Sequence, residues 1–195
     1  MRPGVTLYFI RHGETDWNAA ARYQGQVDIP LNDTGRAQAR RNGEALRSII
    51  ANPETFDFVA SPLGRTRETM QLVRAAFGLT LEGVRFDDRL REMNYGHWEG
   101  QLASDLPRTD PDGMAERARD WWHWRPTGGE SYEDLTARVG GWLATVERDT
   151  VVSSHGGVSR ALRGAVVPVD RAEVPRLKVP QDRVLVLRRG FMDWL

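Results

Sequence analysis

Three short apolar runs, each broken off at a polar loop that leads into an amphipathic segment, constrain this chain more than any other feature. Val5-Thr-Leu-Tyr-Phe-Ile10 stops at Arg11-His12-Gly13, Phe56-Asp-Phe-Val-Ala60 at Ser61-Pro62, and Thr150-Val-Val-Ser-Ser154 at His155-Gly156-Gly157. Runs of this length and composition read as buried strands. The segments behind them have helical spacing. Thr34–Ile50 carries Ala45, Leu46, Ile49 and Ile50 at its apolar end, and the helix after Ser61-Pro62 sets Met70, Val73 and Phe77 on one face. Val158, Ala161, Leu162 and Ala165 share a face after His155. Ser131-Tyr-Glu-Asp134 is a capping-box pattern, followed by a stripe of Leu135, Val139, Trp142, Leu143 and Val146. Val184–Leu187 reads as a fourth strand. Strands alternating with helices predict an α/β fold, a three-layer sandwich whose mostly parallel central sheet is flanked by helices.

A chain of 195 residues fits a single domain spanning 1–195. Phe86 to Gly129 is its least periodic part, with Pro107, Pro111, Pro126 and the cluster Trp121-Trp122-His123-Trp124. One short helix from Gly113 to Trp124 is expected there, and residues 100–129 are read as a small cap segment inserted in the domain. The tryptophans are weighed first as packing and second as a roof over a ligand.

Lys+Arg and Asp+Glu are both 27, so no global field draws the chain to nucleic acid or to acidic lipid. The absence of cysteine excludes disulfides, thiolate metal sites and cysteine nucleophiles. Nothing at the N-terminus or later is as long as a signal core or a membrane span, and the expectation is a cytoplasmic protein. The four histidines, at 12, 97, 123 and 155, show no metal-ligand spacing, so no metal and no cofactor are expected.

In a parallel sheet the loops after all three strands emerge at the carboxyl edge, where open α/β folds hold their ligands. Arg11-His12, Ser61-Pro-Leu-Gly-Arg65 and Ser154-His155 would then face one crevice. With Glu92 nearby, that crevice is cationic with one acid in it, and a phosphoryl group fits it.

Arg11-His12-Gly13-Glu14-Thr15-Asp16-Trp17-Asn18 resembles the signature of the histidine phosphatase superfamily, the group that includes cofactor-dependent phosphoglycerate mutases. Ser61-Pro-Leu-Gly-Arg65-Thr66, Arg91-Glu92 through Gly100, Gly128-Gly129-Glu130-Ser131 and Ser154-His155-Gly156-Gly157 are similar to that family in order and spacing, over roughly residues 5 to 165. The resemblance implies that His12 is the nucleophile and forms a phosphohistidine, with Gly13 allowing the backbone to approach the ligand. It implies that Arg11, Arg65 and His155 hold phosphate oxygens, and that Glu92 serves as general acid and then general base. Asn18, Gln24, Gly25 and Gly156 are the substrate-binding expectations, the Gln24-Gly25 pair through its backbone. Glu14 and Glu99 are read as loop-orienting, and His97 as rim.

Three readings of such a chain differ in outcome. A phosphomonoesterase passes the phosphoryl group of a small phosphorylated metabolite to water. A mutase returns it to another hydroxyl, and a silent phospho-ligand binder does neither. His12, Glu92 and His155 are all present, which disfavours the binder. The mutases of the family are longer and tend to carry Asn after the second His-Gly, where this chain has Gly157. Hydrolysis is therefore the expectation. Phe191, Met192, Trp194 and Leu195 would pack on the core or meet a partner, and the resemblance implies a homodimer as one state.

Overall fold

Alternation of side chains along the strands sorts the core into two layers. In the computed structural model, which describes residues 1–195, β1 (Leu7–Arg11) sends Leu7 and Phe9 to one face and Ile10 to the other. A short helix, α1 (Asp16–Ala19), follows, and then α2 (Asp33–Arg47). The cap of α2 is Asn32, whose Oδ1 accepts the Gly35 N–H at 2.9 Å. β2 (Asp57–Ala60) and α3 (Gly64–Ala75) complete the first unit. Leu46 and Ile50 meet Met70 and Val73 there, over Ile10, Phe58, Ala60 and Val151. Ile49 is exposed, so only part of the expected apolar end is buried.

The opposite face is covered by α6 and α7. Before them come the two-residue β3 (Arg85–Phe86), α4 (Leu106–Thr109) and α5 (Pro111–Arg119). α6 (Tyr132–Leu143) starts at the expected capping box, in which Ser131 Oγ accepts the Asp134 N–H at 3.1 Å and Asp134 Oδ2 accepts the Ser131 N–H at 2.8 Å. Leu135, Val139, Trp142, Leu143 and Val146 are all buried against Leu7, Phe9, Val59 and Val152. β4 (Thr150–Ser154) leads into α7 (Gly156–Val166), where Val158, Ala161 and Leu162 are buried and Ala165 is exposed.

β5 (Val184–Arg188) and β6 (Phe191–Trp194) finish the sheet, in the order β3-β2-β4-β1-β5-β6. The four strands β3, β2, β4 and β1 are mutually parallel, whereas β5 runs antiparallel to β1 and β6 to β5. The resulting three-layer α/β sandwich matches the expected class. β3 and β6 were not foreseen, the first because two residues carry no periodicity. Phe191 to Trp194 instead form the edge strand, with Met192 and Trp194 packed on the core and Phe191 and Leu195 exposed.

The 100–129 segment holds two short helices, α4 and α5, where one from Gly113 to Trp124 was expected. Its second helix ends at Arg119 rather than Trp124, because Asp120 leaves helical geometry and accepts the His123 N–H at 3.1 Å. A local side-chain acceptor of this kind competes with the helix ladder. The segment is anchored by Trp124, whose ring lies 4.3 Å from that of Trp98, with Leu106 beside them. No helix is long and apolar enough to cross a membrane.

Candidate active site

β1 and β4 lie side by side in the middle of the sheet, and β2 flanks β4, so three strand ends finish at one level. The His12 N–H continues the ladder to Ser154 O at 2.9 Å, and the Ser61 N–H to Ser153 O at 3.0 Å. The chain leaves the sheet immediately afterwards, which turns the next side chains over the carboxyl edge. Arg11, His12, Asn18, Gln24, Gly25, Arg65, Glu92 and Gly156 line one pocket of about 130 Å³. His155 is packed against it, its ring 5.2 Å from that of His12. All nine residues singled out from the sequence are therefore brought together. Such a volume is below the several hundred Å³ of most small-molecule sites, so it accommodates a compact group with the rest of a ligand outside.

Each ring is oriented by one bond. His12 Nδ1 is 2.8 Å from Gly13 O, which only a protonated Nδ1 can satisfy, so the lone pair is on Nε2. His155 Nε2 is 2.8 Å from Ser61 Oγ, and its Nδ1 is buried without a partner. Ser61 was quoted in the sequence motif without a role; it orients His155. Gly13 proves to serve packing. A Cβ there would collide with the Gly35 carbonyl, so this glycine lets the β1 loop touch the start of α2 rather than a ligand.

Arg65 is fully buried and donates from Nη1 to Val27 O and from Nη2 to Gly25 O, both at 2.7 Å, with Nε unpartnered. The Gly25 carbonyl thus faces Arg65, and it is the Gln24 side-chain nitrogen that is buried without a partner. Arg11 donates to Val179 O at 2.8 Å and its Nε is also unpartnered. Asn18 Oδ1 accepts from Gln181 Nε2 at 3.0 Å, and Gln181 also donates to His12 O at 3.0 Å. Buried polar atoms of native proteins usually have partners, so this set of free donors around one small space marks a place for an acceptor-rich ligand.

Glu92 does not pair with its neighbours in sequence, since Arg89 is bound to Asp87 and Arg91 to Asp88, each at 2.7 Å. Its Oε1 accepts the Met93 N–H at 2.9 Å and the Gly157 N–H at 3.0 Å, at the start of α7. A Cβ on Gly157 would stand 2.5 Å from that oxygen, so glycine is what admits the carboxylate to the helix end. Arg138 secures the preceding turn, donating to Arg89 O and Arg91 O and forming a two-point pair with Glu130. Glu99 accepts from the Tyr95 and Gln26 N–H groups and Glu14 from Asn32, so both orient loops as expected.

Burial and the two guanidiniums, Arg65 foremost, hold both imidazoles well below the ordinary histidine range, so both rings are neutral at neutral pH. Burial lowers Arg65 as well, to about 10, which leaves it cationic. No group of three or more His, Asp or Glu side chains stands close enough together to hold a metal ion.

Arg160, Tyr23 and Tyr95 complete the lining together with Arg22. Arg160 was missed by sequence reasoning, although it lies four residues after Gly156 and hence on the same helix face. Gln181 was also missed, and no local signal marks it. The tryptophans do not line the pocket. Trp124 packs on Trp98, and Trp121 and Trp122 lie against the main core. His97 pairs with Asp110 of the 100–129 segment at 2.9 Å and lies outside the pocket lining.

Comparison with known proteins adds to this geometry. A family model described as histidine phosphatase superfamily (branch 1) matches residues 7–194. Over 141 residues the chain is 36% identical to a probable phosphoglycerate mutase GpmB of Salmonella paratyphi C, covering 72% of this chain. The match spans 62% of that relative's length. A glucosyl-3-phosphoglycerate phosphatase of Mycobacterium tuberculosis is 33% identical over 188 residues, covering 88% of this chain and 79% of the relative. Among solved structures, the alpha-ribazole phosphatase of Shigella flexneri superposes with a TM-score of 0.80 at 27% identity, covering 93% of this chain and 89% of that one. A mycobacterial glucosyl-3-phosphoglycerate phosphatase in complex with VO3 gives 0.78 at 29%, covering 96% and 100%. The chain belongs to the histidine phosphatase superfamily.

Proposed function

We propose that the protein is a phosphomonoesterase that hydrolyses a small phosphorylated metabolite through a phosphohistidine on His12. The observation that carries this reading is the state of His12: neutral, with Nδ1 bound to Gly13 O and Nε2 free, in a pocket walled by Arg11 and Arg65. In the first step Nε2 attacks phosphorus and the P–O ester bond breaks. Glu92, as the acid, gives its proton to the leaving oxygen. In the second step Glu92 takes a proton from water, the oxygen attacks phosphorus, the P–N bond breaks, and inorganic phosphate leaves.

Arg11, Arg65 and His155 hold the non-transferring oxygens, where charge accumulates in the transition state. For His155 to donate, the Ser61 hydroxyl donates a hydrogen bond to Nε2 and the ring proton rests on Nδ1, the atom left without a partner. Gln24 Nε2 and Asn18 supply further donors to the same group. Gly156, at the first turn of α7, adds the positive end of that helix.

The resemblance to a probable mutase supports a second reading, return of the phosphoryl group to another hydroxyl. One experiment separates the two. Purified protein with chelator is given a panel of phosphate monoesters and free phosphate is measured. It is then given 3-phosphoglycerate with and without 2,3-bisphosphoglycerate. Phosphate release throughout is expected; isomer formation far above phosphate release would replace hydrolase by mutase. Turnover of nothing would leave a binder.

A further inference from the structure

A side-chain amide has a donor end and an acceptor end, so it serves an anion only when the donor end faces it. Asn18 and Gln24 both line the pocket. Backbone groups, which can only donate or only accept, fix the direction of each. The Thr15 N–H donates to Asn18 Oδ1 at 3.2 Å, which makes that end of Asn18 the acceptor. The Asn18 N–H donates to Thr15 Oγ1 at 3.2 Å, so the hydroxyl's own proton goes to Gln24 Oε1, also at 3.2 Å. Asn18 Nδ2 reaches the same Gln24 oxygen at 3.4 Å. Gln24 Nε2 is left buried without a partner.

Gln181 stands at the head of this chain of bonds. Its Nε2 donates to His12 O and to Asn18 Oδ1, each at 3.0 Å. A carbonyl only accepts, so His12 O turns the nitrogen of Gln181 towards the nucleophile loop, and the other proton holds the acceptor end of Asn18. The backbone that carries Gln181 is tied to the site. Leu177 O accepts from Arg160 Nε, Lys178 O from Arg163 Nη1 and Val179 O from Arg11 Nη1, each at 2.8 Å. Asn42, buried on α2, donates to Gln181 O at 3.0 Å. Pro180 adds a fixed φ and has no N–H to satisfy. Without the Gln181 amide, Asn18 Oδ1 would keep only its bond to Thr15. An Asn18 amide turned end for end would set an oxygen against Gln24 Oε1 and disturb the donors of both residues.

We propose that Gln181 is a positioning residue for phosphoryl binding: its one nitrogen, set by the His12 carbonyl, keeps the donor ends of Asn18 and Gln24 towards the pocket. Gln181 is not among the residues lining that pocket, so it acts through Asn18. The proposal rests on the phosphatase reading for where the phosphoryl group sits, and phosphate binding tests it without turnover.

The experiment is a double-mutant cycle. Calorimetry measures the binding of inorganic phosphate to the parent protein, Gln181→Met, Asn18→Ala and the double variant. Methionine has nearly the length of glutamine, with no charge and no donor. Gln181→Met is expected to weaken phosphate about 10-fold, the scale of one hydrogen bond. In the Asn18→Ala background the same change is expected to weaken it about 2-fold or less, because the amide that Gln181 orients is gone. Equal losses in the two backgrounds would overturn the proposal, since a residue that only supports the fold weakens binding whether or not Asn18 is present. Unaltered binding by Gln181→Met would do the same.

Nuclear magnetic resonance of the parent protein supplies a readout that asks no variant to fold. Phosphate is expected to shift the side-chain NH2 signals of Asn18 and Gln24. Signals that stay in place while phosphate binds would show that these donors do not face it, and the proposal would fall. Hydrolysis of an aryl phosphate is followed in parallel. A coupled binding cycle with no phosphate released would remove the phosphatase reading and keep the role of Gln181. Phosphate release with equal losses in the two backgrounds would do the reverse, and a parent protein that binds no phosphate would end both.

Discussion

At the floor of the pocket, polar side chains are suspended from three strand ends and held by the backbone. The 100–129 segment is held instead by side-chain contacts, the Trp98–Trp124 pair, Asp110 on Trp98 Nε1 and His97, and Trp121 and Trp122 against the main core. His12, Arg65, Glu92 and His155 are each fixed by bonds to carbonyls, N–H groups or a buried serine. Trp98, Leu106 and Trp124 form a cluster of three buried residues, set apart from the 19-residue main core. The floor is therefore fixed by hydrogen bonds at the strand ends, and the segment by side-chain packing away from the sheet. In the proposed function the floor meets the same phosphoryl group in every substrate, a task that suits a fixed arrangement.

That contrast can be broken at its strongest point first. His12→Ala is expected to lower kcat by about 10³-fold or more without unfolding the protein, since the nucleophile is lost and the sheet is untouched. Hydrolysis of a simple aryl phosphate measures it, and activity at the parent rate would remove His12 from the mechanism. Trp124→Ala is the matching test of the segment. Loss of a buried tryptophan typically costs about 3–5 kcal/mol. The loss should appear as faster hydrogen exchange over residues 100–129, with protection of β1 and β4 retained. Uniform loss of protection would mean that the segment and the floor are one cooperative unit.

Gly157→Ala sharpens the comparison within the floor. The added Cβ meets Glu92 Oε1, so the carboxylate must leave the start of α7. A fall in kcat of about 10²-fold is expected, the usual contribution of a positioned acid or base, with phosphate affinity reduced much less. If kcat is unaffected, the contact between Glu92 and α7 has no part in proton transfer.

The smallest effect is on the pH dependence of stability. Both imidazoles are held below their ordinary value near 6.5 by burial and by Arg65. As pH falls below about 6.5 the unfolded chain takes up protons at these positions and the folded protein does not. Stability present above that pH is then lost, by up to about 1.4 kcal/mol per pH unit for each ring, until the folded rings protonate. His155→Asn should flatten the decline between pH 7 and 5, as followed by urea unfolding. A decline as steep as the parent's would assign it to other groups.

The floor was largely legible because each strand and the residues after it are contiguous. Arg11-His12 follows β1, Ser61 through Arg65 follows β2, and His155 follows β4, so a parallel sheet alone brings them together. The 100–129 segment was less legible because its contacts are not periodic. Asp120 ends a helix through its own side chain, and Trp124 finds Trp98 across 26 positions. The role of Gly13 was misjudged for a related reason: what a glycine admits depends on a neighbour far away in the chain, here Gly35.

Sequence by itself determined the sandwich, the strand ends and the cluster of His12, Glu92, Arg11, Arg65 and His155, since periodicity and order along the chain are local properties. Only the tertiary structure decided which nitrogen of each imidazole is free. It also decided that Glu92 lies on the Gly157 N–H and that Arg160 and Gln181 belong to the site. Those facts depend on hydrogen bonds between residues as much as 169 positions apart, and one such bond requires no pattern that a stretch of sequence could display.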